Sequence, residues 1–143
     1  MDNRQLTFSH LLHLTAHHWQ LAVNRRLKDL GMSQASWVAV SAIARNEHPL
    51  SQSELAQEVG VESATIVPLV NRLVELQLVE RVMTDSDKRK RLLVATEKGL
   101  ALYRQVKAVA DDLREEILSA ITPEERAQTQ RVLEKLLREV EKK

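Results

Sequence analysis

Four consecutive cations, Lys88, Arg89, Lys90 and Arg91, form the sharpest chemical feature of the chain. Short β-type runs flank a polar, Asp- and Ser-containing loop from Met83 to Lys90: Leu78 to Val82 before it and Arg91 to Ala95 after it. A basic hairpin tip can reach phosphates, or a narrow A·T-rich minor groove that attracts arginine. A charge run alone is usually a solvated face, so its neighbours decide. Ser51, Gln52 and Ser53 open a helix, where backbone amides and the helix dipole suit a phosphate. His10, His13 and His17 recur at i, i+3 and i+7 and share a helical face, with His13 and His17 at a spacing compatible with metal ligation. No cysteine and no nearby acidic third ligand accompanies them. The expectation is therefore no metal and no cofactor. An enzyme is not expected either: there is no Gly-rich phosphate loop, no strained nucleophile turn and no acidic pair in a plausible pocket.

The elements that must position these residues are marked by helix punctuation. Residues 5–30 read as one long helix, with Gly31 placed to end it in a left-handed cap. Ser33 caps a helix running through Trp37, Val40 and Ile43 to about Asn46. Ser51 and Glu54 have capping-box spacing and open a short helix that stops at Gly60. A helix over 63–77 follows, with Ile66, Leu69, Val70, Leu73 and Leu76 on one stripe and Ala64, Val67, Pro68, Asn71, Arg72 and Glu75 opposite. After the hairpin, Thr96 caps a helix to about Ser119. Thr122, Pro123 and Glu125 then combine an N-cap, a proline at N1 and glutamate at N3. The last helix lines up Val132, Leu133, Leu136, Leu137 and Val140.

Short helix, turn at Gly60, second helix and hairpin together make a winged helix-turn-helix. The fold class is mainly α with a two-stranded β wing, flanked by long terminal helices. Such an arrangement suits duplex DNA, because a helix with a small or hydrogen-bonding outer face can enter a major groove about 12 Å wide. Ser63, Thr65, Asn71 and Arg72 are the hydrogen-bonding readers on that face, and Val67 and Pro68 can meet thymine methyls.

At these residues the chain resembles the MarR/SlyA family of bacterial winged-helix transcriptional regulators. The likeness is strongest over 51–82 and continues through MTDSDKRKRLLVATEKG at 83–99; 24–46 is also similar, especially to the SlyA branch. The family's wing Asp-x-Arg falls on Asp87 and Arg89, and its Thr-x-x-Gly on Thr96 to Gly99. The resemblance implies that 63–77 is the recognition helix and that Arg89 enters the minor groove. It also implies that Asp87 holds the wing in shape, with Arg81 its candidate partner. One MarR-type domain over 1–143 is expected, with 33–96 the DNA-binding lobe and 1–30 and 97–143 the dimerisation lobe. Many SlyA-like relatives carry arginine where this chain has Pro68, while other branches carry proline. The expected partners are double-stranded DNA and a second copy of the chain. The implied function is a repressor or anti-silencer on a pseudo-palindromic operator, in the bacterial cytoplasm at the nucleoid. Family members often respond to small aromatic acids or phenols, for which His10, His13, His17 and Trp37 are the candidate lining. The rivals are a winged helix used for protein–protein docking, and a metal-responsive regulator using the N-terminal histidines.

The chain has 143 residues, 43% hydrophobic, with no cysteine, which fits one domain and excludes disulfides, thiolate nucleophiles and Cys-ligated zinc. No apolar run approaches the ~18 residues of a membrane span, and the start lacks a signal-peptide pattern. A formal charge of +1 argues against nucleic acid when taken whole. The charge is uneven, however: zero over 1–61, +3 over 62–107 and −2 over 108–143.

Overall fold

The computed structural model describes residues 5–83 and 91–143. Among them lie six α-helices and a β-hairpin: α1 (Phe8–Leu27), α2 (Gln34–Arg45), α3 (Gln52–Val59), α4 (Ser63–Glu75), β1 (Val79–Met83), β2 (Arg91–Ala95), α5 (Glu97–Leu118) and α6 (Pro123–Glu141). The chain divides into two compact units, Met1–Val109 and Ala110–Lys143.

Local capping accounts for most of the boundaries. Ser33, Ser51 and Thr122 are N-caps whose hydroxyls accept an amide three residues on, and Ser51–Glu54 and Thr122–Glu125 close full capping boxes. Gly60 (φ 83°) ends α3, and the amides of Gly60 and Val61 both donate to the Ala56 carbonyl, at 2.9 and 3.0 Å. The expected single helix over 5–30 is shorter. Thr7 caps α1, the helix stops at Leu27, and one 3-10 turn (Lys28–Leu30) intervenes before Gly31 at φ 70°. Replacing Ser51 with alanine removes half of a capping box and is expected to cost about 1 kcal/mol of stability, read as a lower midpoint in denaturant unfolding.

The core of the first unit joins α2, α3 and α4 to the hairpin. Val40, Leu55, Ile66, Val70, Leu73, Val79 and Leu93 are its largest fully buried members. The expected α4 stripe is the inward one: Ile66, Val70 and Leu73 are buried, and Leu69 and Leu76 pack against the core. β1 and β2 are antiparallel, with Val79 opposite Ala95 and Arg81 opposite Leu93. Leu50 adds an isolated bridge to Leu93, whose amide donates to the Leu50 carbonyl at 2.7 Å. The wing is thereby tied to the segment entering α3, a contact that the two-stranded expectation lacked.

The end of α4 and the start of α5 are locked together. Gln77 adopts the left-handed conformation (φ 62°), Leu78 N–H reaches the Leu73 carbonyl and Gln77 N–H the Val74 carbonyl, a Schellman closure without glycine. Thr96 then donates its hydroxyl to the Gln77 carbonyl at 2.6 Å and accepts from the Gly99 amide at 3.0 Å. Its own amide donates to the Leu78 carbonyl at 3.1 Å. The Thr-x-x-Gly motif is thus a latch that sets α5 against the C-terminus of α4.

In the second unit, Arg126 on α6 pairs with Glu115 on α5 at 3.5 Å. Most of the apolar stripe of α6 faces outward: Val132, Leu133, Leu137 and Val140 are exposed, Val140 to 69%, while Leu136 is half-buried. Among the described residues no helix is long and apolar enough to cross a membrane.

Candidate nucleic-acid interface

The N-terminus of α3, the outer face of α4 and the two strands enclose one concavity of about 580 Å³. It is lined by Ser51, Gln52, Ser53, Val67, Asn71, Arg81, Arg91 and Leu93. Seven of these eight are residues that the sequence singles out, drawn from four separate stretches of chain. Core burial of Leu55, Ile66, Val70 and Leu93 holds their elements in place.

Each wall has its own chemistry. At α3 the capping box occupies the Ser51 amide with the Glu54 carboxylate (3.0 Å) and the Glu54 amide with the Ser51 hydroxyl (3.2 Å). The box leaves the amides of Gln52 and Ser53 as the donors of this helix end, so an anion would meet those two and not all four. On α4, Ser63, Ala64, Thr65, Val67, Pro68, Asn71 and Arg72 are all exposed on the face away from the core. Arg72 pairs with Glu75 at 3.7 Å, an exposed contact worth little and easily exchanged for a phosphate. The helix continues through Pro68. The proline removes one amide, but the Ala64 carbonyl that would have accepted it lies on the same exposed face, where water can replace the donor.

The third wall is β1. Arg81 donates from Nη2 and Nε to Gln52 Oε1, at 3.2 and 3.4 Å, and from Nη2 to Asn71 Oδ1. One half-buried guanidinium therefore joins the start of α3, the middle of α4 and the wing. Spacing could not have found this triad, since its members lie 29 and 10 residues from Arg81. The strand pleat carried a partial signal: Arg81 is two residues from buried Val79 and so points to the same, helix-facing side. The expected partner of Arg81, Asp87, lies outside the described residues, as do Lys88, Arg89 and Lys90. Arg91 is described, exposed and on the concavity.

The candidate effector residues are arranged differently. His10, His13 and His17 are exposed on α1, with the rings of His13 and His17 stacked at 6.0 Å and His18 edge-on to His17 at 5.6 Å. Trp37 is half-buried, and its indole N–H donates to Asn24 Oδ1 at 3.0 Å, while Asn24 Nδ2 donates to Gln34 Oε1 at 2.7 Å. Trp37 thus ties α2 to α1 at a point seven residues beyond His17, about 10 Å along the helix axis. The histidines are not its hydrogen-bond partners. Among the described residues no three His, Asp or Glu side chains come together as a metal site.

Helix-turn-helix, hairpin and long flanking helices define a winged-helix protein of the regulator class. A MarR family model matches residues 30–90. The transcriptional regulator PA3341 is 36% identical over 96% of this chain and all of its own, with a TM-score of 0.89. Wild-type MarR from E. coli is 25% identical, with 94% and 99% coverage and a TM-score of 0.80. The MepR–DNA complex from S. aureus, 19% identical over 94% of this chain and 99% of MepR, has the same fold with a TM-score of 0.81. The chain belongs to the MarR family, whose members are transcriptional regulators and not enzymes.

Proposed function

We propose that this chain is a sequence-specific DNA-binding regulator that acts as a homodimer on a pseudo-palindromic operator, as a repressor or anti-silencer. The observation that carries this reading is the concavity itself: donors from α3, hydrogen-bonding and methyl-contacting side chains from α4, and a cation from β2 converge on one outward face. A MarR-like fold crystallised with DNA in MepR supports the same direction. In this reading, Ser63, Ala64, Thr65, Val67, Pro68, Asn71 and Arg72 meet base edges in the major groove, and Gln52 and Ser53 meet a phosphate. Residues 88–91 reach the neighbouring backbone or minor groove. Residues 33–96 serve as the DNA-binding lobe, and 1–30 with 97–143 as the dimerisation lobe. The protein works in the cytoplasm, at the nucleoid.

Release by a small aromatic acid or phenol belongs to the same proposal. Such an effector acts only by binding one spacing of the recognition helices more tightly than another. The stacked histidines of α1 and the half-buried Trp37 are the groups suited to a carboxylate and an aromatic ring.

Titration of symmetric duplexes at several salt concentrations tests the reading. Affinity for a preferred site should fall steeply with salt as counterions are released. Arg89→Ala removes one cation per subunit. It should weaken binding by roughly tenfold or more and flatten the log–log salt slope of a dimer by about two, with thermal unfolding unchanged. Binding that ignores salt, or the absence of any preferred duplex, contradicts the proposal and favours the protein-docking alternative.

A further inference from the structure

We propose that Arg81 sets base specificity: it holds the Asn71 side-chain oxygen, so that the amide meets DNA as a hydrogen-bond donor and rejects cytosine. The inference rests on the DNA-binding reading above and concerns how that site chooses a base.

The chemistry of the three side chains fixes the polarity. A guanidinium carries only donors, so an amide facing it must turn its oxygen inward. Both amides beside Arg81 do so: Gln52 through Oε1 and Asn71 through Oδ1. A charge-assisted bond is stronger than a neutral one, and turning the Asn71 amide over would set its NH2 group against a cation. The outward group of Asn71 is therefore Nδ2, with two donors and no acceptor. In the major groove, guanine presents N7 and O6, adenine N7 and thymine O4, all of them acceptors. Cytosine alone presents only a donor, its N4 amino group, and meets an NH2 group with repulsion. An unheld asparagine has no such bias, because its amide rotates to offer either end. Arg81 is half-buried, is bonded to both amides, and needs to touch no base to impose this preference. It is a positioning residue, and its effect is read through another side chain.

Selection of bound sites from random duplex DNA, run on the wild type and three variants, tests this directly. Asn71→Ala should erase the preference at one position of each half-site, and that position identifies the base facing Asn71. There the wild type should disfavour cytosine by about tenfold, the size of one good hydrogen-bonding discrimination. Arg81→Met keeps the apolar stem without donors, frees the amide to turn over, and should admit cytosine at that position almost equally. Asn71→Asp keeps an acceptor for Arg81 but removes both donors, and should switch the preference to cytosine, whose N4 group a carboxylate accepts. That variant decides the matter even if Arg81→Met fails to fold. A folded Arg81→Met that still rejects cytosine, an Asn71→Asp that does so, or an Asn71→Ala with an unchanged site overturns the inference. Failure of the DNA-binding reading looks different: the wild type then enriches no site at all.

Discussion

Replacing Gly99 with alanine is expected to lower unfolding free energy by about 3 kcal/mol, at the upper end of what overpacking costs. A Cβ at this position would lie 2.1 Å from the Leu78 carbonyl oxygen and 3.1 Å from its carbon. A flexible side chain could swing away, but a carbonyl held from several directions cannot. Leu78 O accepts from the Thr96 amide, Leu78 N donates to the Leu73 carbonyl, and the Leu78 side chain is buried. On the other side, the Gly99 amide is held by the Thr96 hydroxyl, which in turn grips the Gln77 carbonyl. Relief requires prising α5 from the end of α4, which opens the latch and disturbs the recognition helix. Denaturant unfolding should show a clearly lower midpoint with an unchanged slope. DNA affinity should fall in the variant that does fold. A midpoint matching the wild type would show that the helix junction yields easily and that the latch has little structural weight.

The second large effect concerns α6. Leu133→Glu with Leu137→Glu is expected to convert a dimer into a folded monomer. Leu133 and Leu137 are 40% and 59% exposed in the single chain, flanked by Val132 at 48% and Val140 at 69%. A row of four large apolar side chains on one helix is costly in water and suits a partner surface. Each leucine contributes about 1.5–3 kcal/mol when buried, so the four leucines of a dimer represent on the order of 6 kcal/mol or more. That is about four powers of ten in the dimerisation constant. Light scattering should therefore report half the native mass, while helix content by circular dichroism stays constant. Affinity for a two-half-site operator should drop towards that of a single half-site. If the native mass persists in the double variant, α6 does not form the dimer interface.

Local and long-range features were legible to different degrees. Ser33, Ser51, Glu54, Thr122 and Glu125 act on residues three positions away, so their roles are written in adjacent letters and the helix starts follow from them. Gly31 and Gly60 likewise mark left-handed caps that few other residues adopt. Gln77 breaks that rule: it takes the left-handed conformation because its carbonyl accepts from the Thr96 hydroxyl and its amide donates to the Val74 carbonyl. No propensity scale sees such a tertiary constraint. The same holds for Leu50 bridging to Leu93, for Trp37 donating to Asn24, and above all for Arg81 reaching Gln52 and Asn71. Residue types and helix faces indicated which side chains share the candidate site. Which atom each of them turns outward depends on packing between elements far apart in the chain.

The near-zero charge of the chain fits this picture once it is divided by region. The stretch 62–107 holds a surplus of three cations, while the segment containing α6 is acidic. In the proposed dimer, with a formal charge of only about +2, placement of charge would steer a DNA backbone to one face. The uniform attraction of a strongly basic protein would lack that direction.

The most direct test of the central claim is selection of wild-type binding sites from random duplex DNA at near-physiological salt. The expected result is an enriched pseudo-palindrome whose half-sites are centred about one helical turn, ~34 Å, apart, as a twofold dimer presenting two copies of α4 requires. No enriched sequence, or an enriched site without twofold symmetry, would contradict it.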